Sequence, residues 1–221
     1  GLNHQYNISH ILTLGKSINE IIIDGPAGIK ILPGASGLGE MADISYIDLN
    51  VLIRAFKSRA YDFDIIIIDN GAGISKSVIS FIQSSDEIII VTTPEPSALA
   101  DAYVLLKLTY KYFDKIHLII NRVENFKEAQ FALEKLSKVS RKFLNKDINY
   151  LGYILEDKTV FKANMEQVPF YIGYPNSLAS KCITNACQKL LFGNVSITQK
   201  PSTVEGWFKK LIHFLHNGMG D

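Results

Sequence analysis

The feature that most restricts how this chain can fold is a series of short apolar runs without polar alternation, each separated from the next by a stretch with helical spacing. The runs are Ile29–Leu32, Ile65–Ile68, Glu87–Val91, Ile116–Ile120 and Tyr150–Leu155. A strand that is apolar on both sides has to be covered on both sides, as in a parallel sheet between two layers of helices. Ile47–Lys57, Ser75–Gln83, Ser97–Tyr112, Phe126–Leu144 and Ser177–Phe192 read as those helices. In the fourth of them, Leu133, Leu136, Val139 and Phe143 recur at steps of three and four. The expected fold class is therefore α/β: a doubly wound, mainly parallel sheet with helices on both faces.

Composition removes the competing classes. With 47% hydrophobic and 20% charged residues, the 221-residue chain is neither disordered nor fibrous. A formal charge of +1 gives no global field that would draw nucleic acid, and no direct nucleic-acid binding is expected. Cys182 and Cys187, five apart in one expected helix, suit neither a metal knuckle nor a disulfide framework, which points to a reducing cytoplasm. No run approaches the ~18 apolar residues of a membrane span.

In a doubly wound sheet, ligands sit at the carboxyl ends of the strands. After Ile65–Ile68 stands Asp69-Asn70-Gly71-Ala72-Gly73. A carboxylate at such a tip can act on Mg²⁺, directly or through water, and the glycines let backbone N–H groups approach a phosphate. It equally suits a solvated turn whose Asp caps the next helix. Thr92-Thr93-Pro94-Glu95-Pro96-Ser97 reads as a stiff strand-to-helix turn with Ser97 as N-cap. Asn121-Arg122 offers an amide donor and acceptor for the edge of a purine, or a loop cap. Gly34-Ala35-Ser36-Gly37-Leu38-Gly39 lacks the dinucleotide spacing, and Gly71–Ser77 is one residue short of a phosphate loop, with Ser75 in place of its second glycine. The five histidines form no metal spacing.

Residues 193–203 are polar and turn-rich and read as a linker. Beyond them, Val204, Trp207, Phe208, Leu211, Ile212 and Leu215 share one face of a helix, opposite Lys209, Lys210, His213 and His216. That composition suits an interfacial membrane helix, and equally a terminal helix docked on its own core.

These motifs together resemble the MinD/ParA-like P-loop ATPases, and within them the flagellar-number regulators called FlhG or FleN. The resemblance is carried by Tyr6–His10, Gly28–Gly37, Asp62–Ser75, Thr92–Tyr103, Asn121–Val123, Leu151–Ile154 and Glu156-Asp157. It implies an ATPase domain over 1–192, the linker 193–203 and a membrane-targeting helix over 204–215. It further implies ATP and Mg²⁺ as cofactors, a homodimer formed through bound ATP, and attachment to the inner face of the cytoplasmic membrane. Flagellar-assembly proteins such as an FlhF-type GTPase are the implied partners. Residue by residue, Asp69 takes the catalytic, water-mediated Mg²⁺ position, Gly73 lies in the γ-phosphate switch, and Asn121 and Arg122 take the adenine side. Asn70 departs from the small hydroxyl residue common in this branch. The family's lysine-bearing phosphate loop is not found after Gly1, so a β-α-β unit is expected to precede this sequence. Two other readings stay open: a non-catalytic binding module without a phosphate loop, and a septum-site-determining ATPase with the same C-terminal helix.

Overall fold

The computed structural model describes residues 2–34, 51, 54–56, 63–71, 73–193 and 203–217. The chain divides into two units, Gly1–Asp86 with Pro201–Asp221, and Glu87–Lys200.

The first unit opens with two short helices, α1 (Ser9–Thr13) and α2 (Ile18–Ile21). Ser17 and Glu20 form a reciprocal capping box at α2. Lys16 and Ser17, donating to the Glu20 carboxylate, pull its pKa down to about 2. Ile29–Leu32 does not enter a parallel sheet. Its Lys30–Ile31 (β2) pairs antiparallel with Ile23–Asp24 (β1) across a tight turn in which Ala27 takes φ 55°. Ile65–Ile68 is likewise not a strand: no described strand pairs with it, and Ile67 is 88% exposed. An apolar run becomes a strand only where a neighbour's backbone groups lie beside it. Helix α3 (Lys76–Ser84) then begins one residue later than expected, because Ser75 is its N-cap and accepts from the Val78 N–H. Of the expected helix Ile47–Lys57, only residues 51 and 54–56 are described, and they are helical.

The second unit holds the expected parallel sheet. Strands β3 (Ile89–Thr92), β4 (His117–Val123) and β5 (Asn149–Leu155) pair in the order β3-β4-β5. Helices lie on both sides: α4 (Pro96–Thr109) on β3, α5 (Phe126–Leu144) on β4 and β5, and α8 (Leu178–Phe192) on β5. Between β5 and α8 lie two further helices that the apolar spacing does not signal, α6 (Lys158–Met165) and α7 (Phe170–Gly173). Ser97 is not the cap of α4. Glu95 takes that place, since Pro96 at the first helical position has no N–H to satisfy and its fixed φ suits the helix. Leu118, Ile120 and Val123 of the central strand are fully buried, as are Ile116 just before it, Leu106 of α4 and Ala129 of α5.

At the start of β4, His117 is buried between Glu87, 3.3 Å from Nε2, and Asn149, whose amide nitrogen is 2.6 Å from Nδ1. Burial lowers its pKa, Lys115 adds to that, and Glu87 opposes it. In the unfolded chain the ring titrates near 6.5, so protonation favours unfolding. The stability that neutral His117 contributes is complete above about pH 6.5 and is lost as the pH falls toward its folded pKa. Urea titrations of the parent and of His117→Gln check this. The parent is expected to lose stability between about pH 7 and pH 5, by up to about 1.4 kcal/mol per unit more than the variant. Parallel pH curves would remove His117 from the account.

Helix α9 (Val204–Asn217) returns to the first unit and packs on α3. None of the described helices is long and apolar enough to cross a membrane.

Candidate functional site

At the carboxyl ends of β4 and β5 the second unit forms an open cavity of about 440 Å³, within the ~300–1,000 Å³ usual for small-molecule sites. Val91, Ile119 and Ile154 line its sheet side, and Val160, Phe161 and Ile183 its helical side. The polar groups are Asn121, Arg122, Glu156 and Asp157, with Asn164 on α6.

The geometry at the tip of β4 follows from a break in its register. Between Ile120 and Val123 the pairing with β5 is irregular, and Arg122 adopts φ 57°, a left-handed conformation uncommon outside glycine. The Asn121 side-chain oxygen accepts the Arg122 N–H at 3.0 Å, which commits the acceptor of that amide to the turn. The Arg122 guanidinium donates to Glu156 at 2.9 Å, and this bond holds Arg122 firmly protonated. Both side chains are more than half exposed, so the pair orients Arg122 rather than stabilising the fold.

Asp157 organises the opposite wall. One carboxylate oxygen accepts the N–H and the hydroxyl of Thr159, capping α6, while the other accepts the Ala179 N–H at the start of α8. These donors favour the ionised form and lower its pKa, the Thr159 hydroxyl most. In the sequence, Glu156-Asp157 stands out only through the family resemblance. The signal for a structural role was the Asp-Lys-Thr start of a helix, an N-cap pattern directly after a strand.

Asp69 and Gly73 belong to the first unit. Asp69 is exposed, and Gly73 has φ +104°, where an added Cβ would meet nothing within 4 Å. Glycine there serves the backbone dihedral, not space. Between them, Asn70 holds a buried side-chain oxygen with no hydrogen-bond partner among the described residues. Asn121 and Arg122 belong to the second unit and sit together at the cavity. Ala72 and residues 35–39 of the first glycine cluster lie outside the described residues, as do 194–202 of the expected linker.

Of the six residues on the apolar face of α9, Phe208 and Leu211 are each 1% exposed and Trp207 is half-buried. The side chains of Val204, Ile212 and Leu215 lie outside the described residues. Phe208 packs with Ile11 and Ile21, and Leu211 with Phe81. The face that the sequence assigns equally to a bilayer or to the chain's own core is in this structure seated on the core. The seat is imperfect, because the Trp207 indole N–H is buried with no acceptor among the described residues, a cost of about 1–3 kcal/mol.

No protein-family model matches the chain. It is 30% identical over 192 residues to the antiactivator FleN of Pseudomonas aeruginosa, covering 86% of this chain and 69% of that protein. It is also 30% identical over 220 residues to the flagellum site-determining protein YlxH of Helicobacter pylori, covering 97% and 74%. The structure of the septum site-determining protein MinD complexed with Mg-ADP from Pyrococcus horikoshii superposes with a TM-score of 0.62 at 21% identity, covering 86% of this chain and 74% of that one. The parallel sheet with helices on both sides is thus the expected fold class.

Proposed function

The chain belongs to the MinD/ParA-like P-loop ATPases, in the flagellar branch that holds FleN and YlxH, and from this we propose that it is a nucleotide-dependent, membrane-associated switch that sets the number or placement of flagella. The observation that carries this reading is the 30% identity to the two flagellar relatives over most of the chain.

The cavity supports it in kind. An amide donor at Asn121, apolar walls from Ile119, Ile154 and Val160, and an oriented cation at Arg122 suit a flat heteroaromatic base with a polar edge. A bound Mg-ATP would supply the γ-phosphate whose presence or absence separates the two states of a switch. Toward it, Asn121 and Arg122 would hold the adenine side, and Asp157 would keep α6 and α8 in place around it. Asp69 would accept from a metal-bound water, and Gly73 would bring backbone N–H groups near the phosphates. We assign 1–192 to the ATPase domain, 193–203 to a linker and 204–215 to the membrane helix. Two subunits would pair through bound ATP, and each would lie against the inner face of the cytoplasmic membrane. Pairing presents two weak anchors at once, which multiplies their avidity. Entry of α9 into a bilayer requires Phe208 and Leu211 to leave their seat.

Deleting the gene in the source organism and counting flagella and minicells is the test. Altered number or position of flagella with normal septa is the expected result. Minicells with normal flagella would move the protein to division-site selection, the role named for its structural neighbour.

A further inference from the structure

Helix α5 carries a charge pattern that nothing at the nucleotide site uses. Lys127, Phe131, Lys135, Lys138 and Lys142 follow one another at steps of four, four, three and four residues, which aligns them along one helix face. All five are exposed, while Ala129, Ala132, Leu136 and Ser140 are the buried residues of the same helix. At 1.5 Å per residue the line is about 22 Å long. The Lys135 ammonium stands 4.2 Å from the centre of the Phe131 ring, which is 58% exposed. Among the described residues, none of the four lysines has a carboxylate within ion-pair distance. The neighbouring Arg141 and Lys146, by contrast, are held by Asp147 and Asp114. Residues 126–146 contain six lysines and arginines against two glutamates, in a chain whose formal charge is only +1. The positive charge is concentrated here, and the remainder of the chain is net negative.

We propose that this line of lysines is a second membrane-contact surface, which takes the anionic headgroups of a lipid bilayer. A straight row of cations along one helix face meets a flat anionic surface along its whole length, and each adds to the attraction. Phe131 in the middle of the row is an apolar ring among lysines, the composition that settles at the headgroup boundary. A short amphipathic helix gives weak attachment alone, and a polybasic patch is the usual second signal that makes attachment stable. The inference deepens the membrane reading above and rests on it for the identity of the surface. The four lysines themselves are independent of α9.

The test is co-sedimentation of the 221-residue chain with phosphatidylcholine vesicles containing or lacking phosphatidylglycerol, at low and at raised salt. The parent is compared with Lys135→Glu/Lys138→Glu and with a control of equal net charge, Lys158→Glu/Lys181→Glu, whose lysines are exposed elsewhere in the same unit. One lysine at an anionic surface is worth about fivefold in partitioning, so the first variant is expected to lose more than about tenfold and the control much less. Equal losses in the two variants, or a parent that ignores phosphatidylglycerol, overturn the proposal. Trp207, the single tryptophan, separates it from the α9 reading through quenching by brominated lipids. Binding that needs Lys135 and Lys138 but leaves Trp207 unquenched upholds the stripe and removes the α9 anchor. Quenching of Trp207 with no dependence on these lysines does the reverse. Lysine-dependent capture of a nucleic acid or an acidic peptide, with no vesicle binding, overturns the lipid assignment.

Discussion

Replacing Phe208 with alanine is expected to destabilise the first unit by about 3–5 kcal/mol, the usual cost of emptying a buried phenylalanine site. Phe208 is 1% exposed and sits among Ile11, Ile21, Leu12, Leu32 and Phe56, with its ring centre 4.5 Å from that of Phe56. It is the largest buried side chain of α9 among the described residues, so the cavity left behind weakens the seat of the whole helix. Trp207 is the natural reporter, since it adjoins Phe208 and stacks on Phe81 at 6.3 Å. Its emission in a urea titration is expected to show a lower midpoint, whereas Phe143→Ala, at a side chain 63% exposed, is expected to shift it by less than about 0.5 kcal/mol. Equal midpoints for the parent and Phe208→Ala would mean that α9 is not seated as the structure has it.

The same helix shows where sequence stops informing structure. Spacing identified which residues of 204–215 share a face, but an apolar face with Trp and Phe satisfies a bilayer and a protein core by the same physics. Choosing between them needs the receiving surface, and that surface is assembled from Ile11, Ile21 and Phe81, which are distant in sequence and carry no local sign of it. The strands divide similarly. Glu87–Val91, Ile116–Ile120 and Tyr150–Leu155 were legible because each has a parallel neighbour, and only their ends moved, to Ile89–Thr92, His117–Val123 and Asn149–Leu155. Ile65–Ile68 has the same composition, but no described strand lies beside it. At the cavity, Asn121 and Arg122 were visible because they end an apolar run. Val160, Phe161 and Ile183 were not, because they come from helices after β5 and meet only through the fold.

Ile120→Ala tests how the core supports that cavity. Ile120 is fully buried in the central strand, in register with Thr92 of β3 and Tyr153 of β5, and it immediately precedes Asn121. Removing three of its carbons leaves a void on one face of the sheet that the layer packed against it closes only in part, so the expected cost is about 2–5 kcal/mol. That is a large part of the ~5–15 kcal/mol that holds a whole domain together. Val91→Ala is the matched comparison. It lies on the neighbouring strand and also lines the cavity, but it is 59% exposed, and its loss is expected to stay near 0.5 kcal/mol. The two variants therefore separate burial from position near the site. The measurement is denaturant unfolding followed by far-ultraviolet circular dichroism, with a drop in midpoint for Ile120→Ala several times that for Val91→Ala. Comparable drops would mean that Val91 is covered in solution, and that β3 is not the exposed face the structure shows.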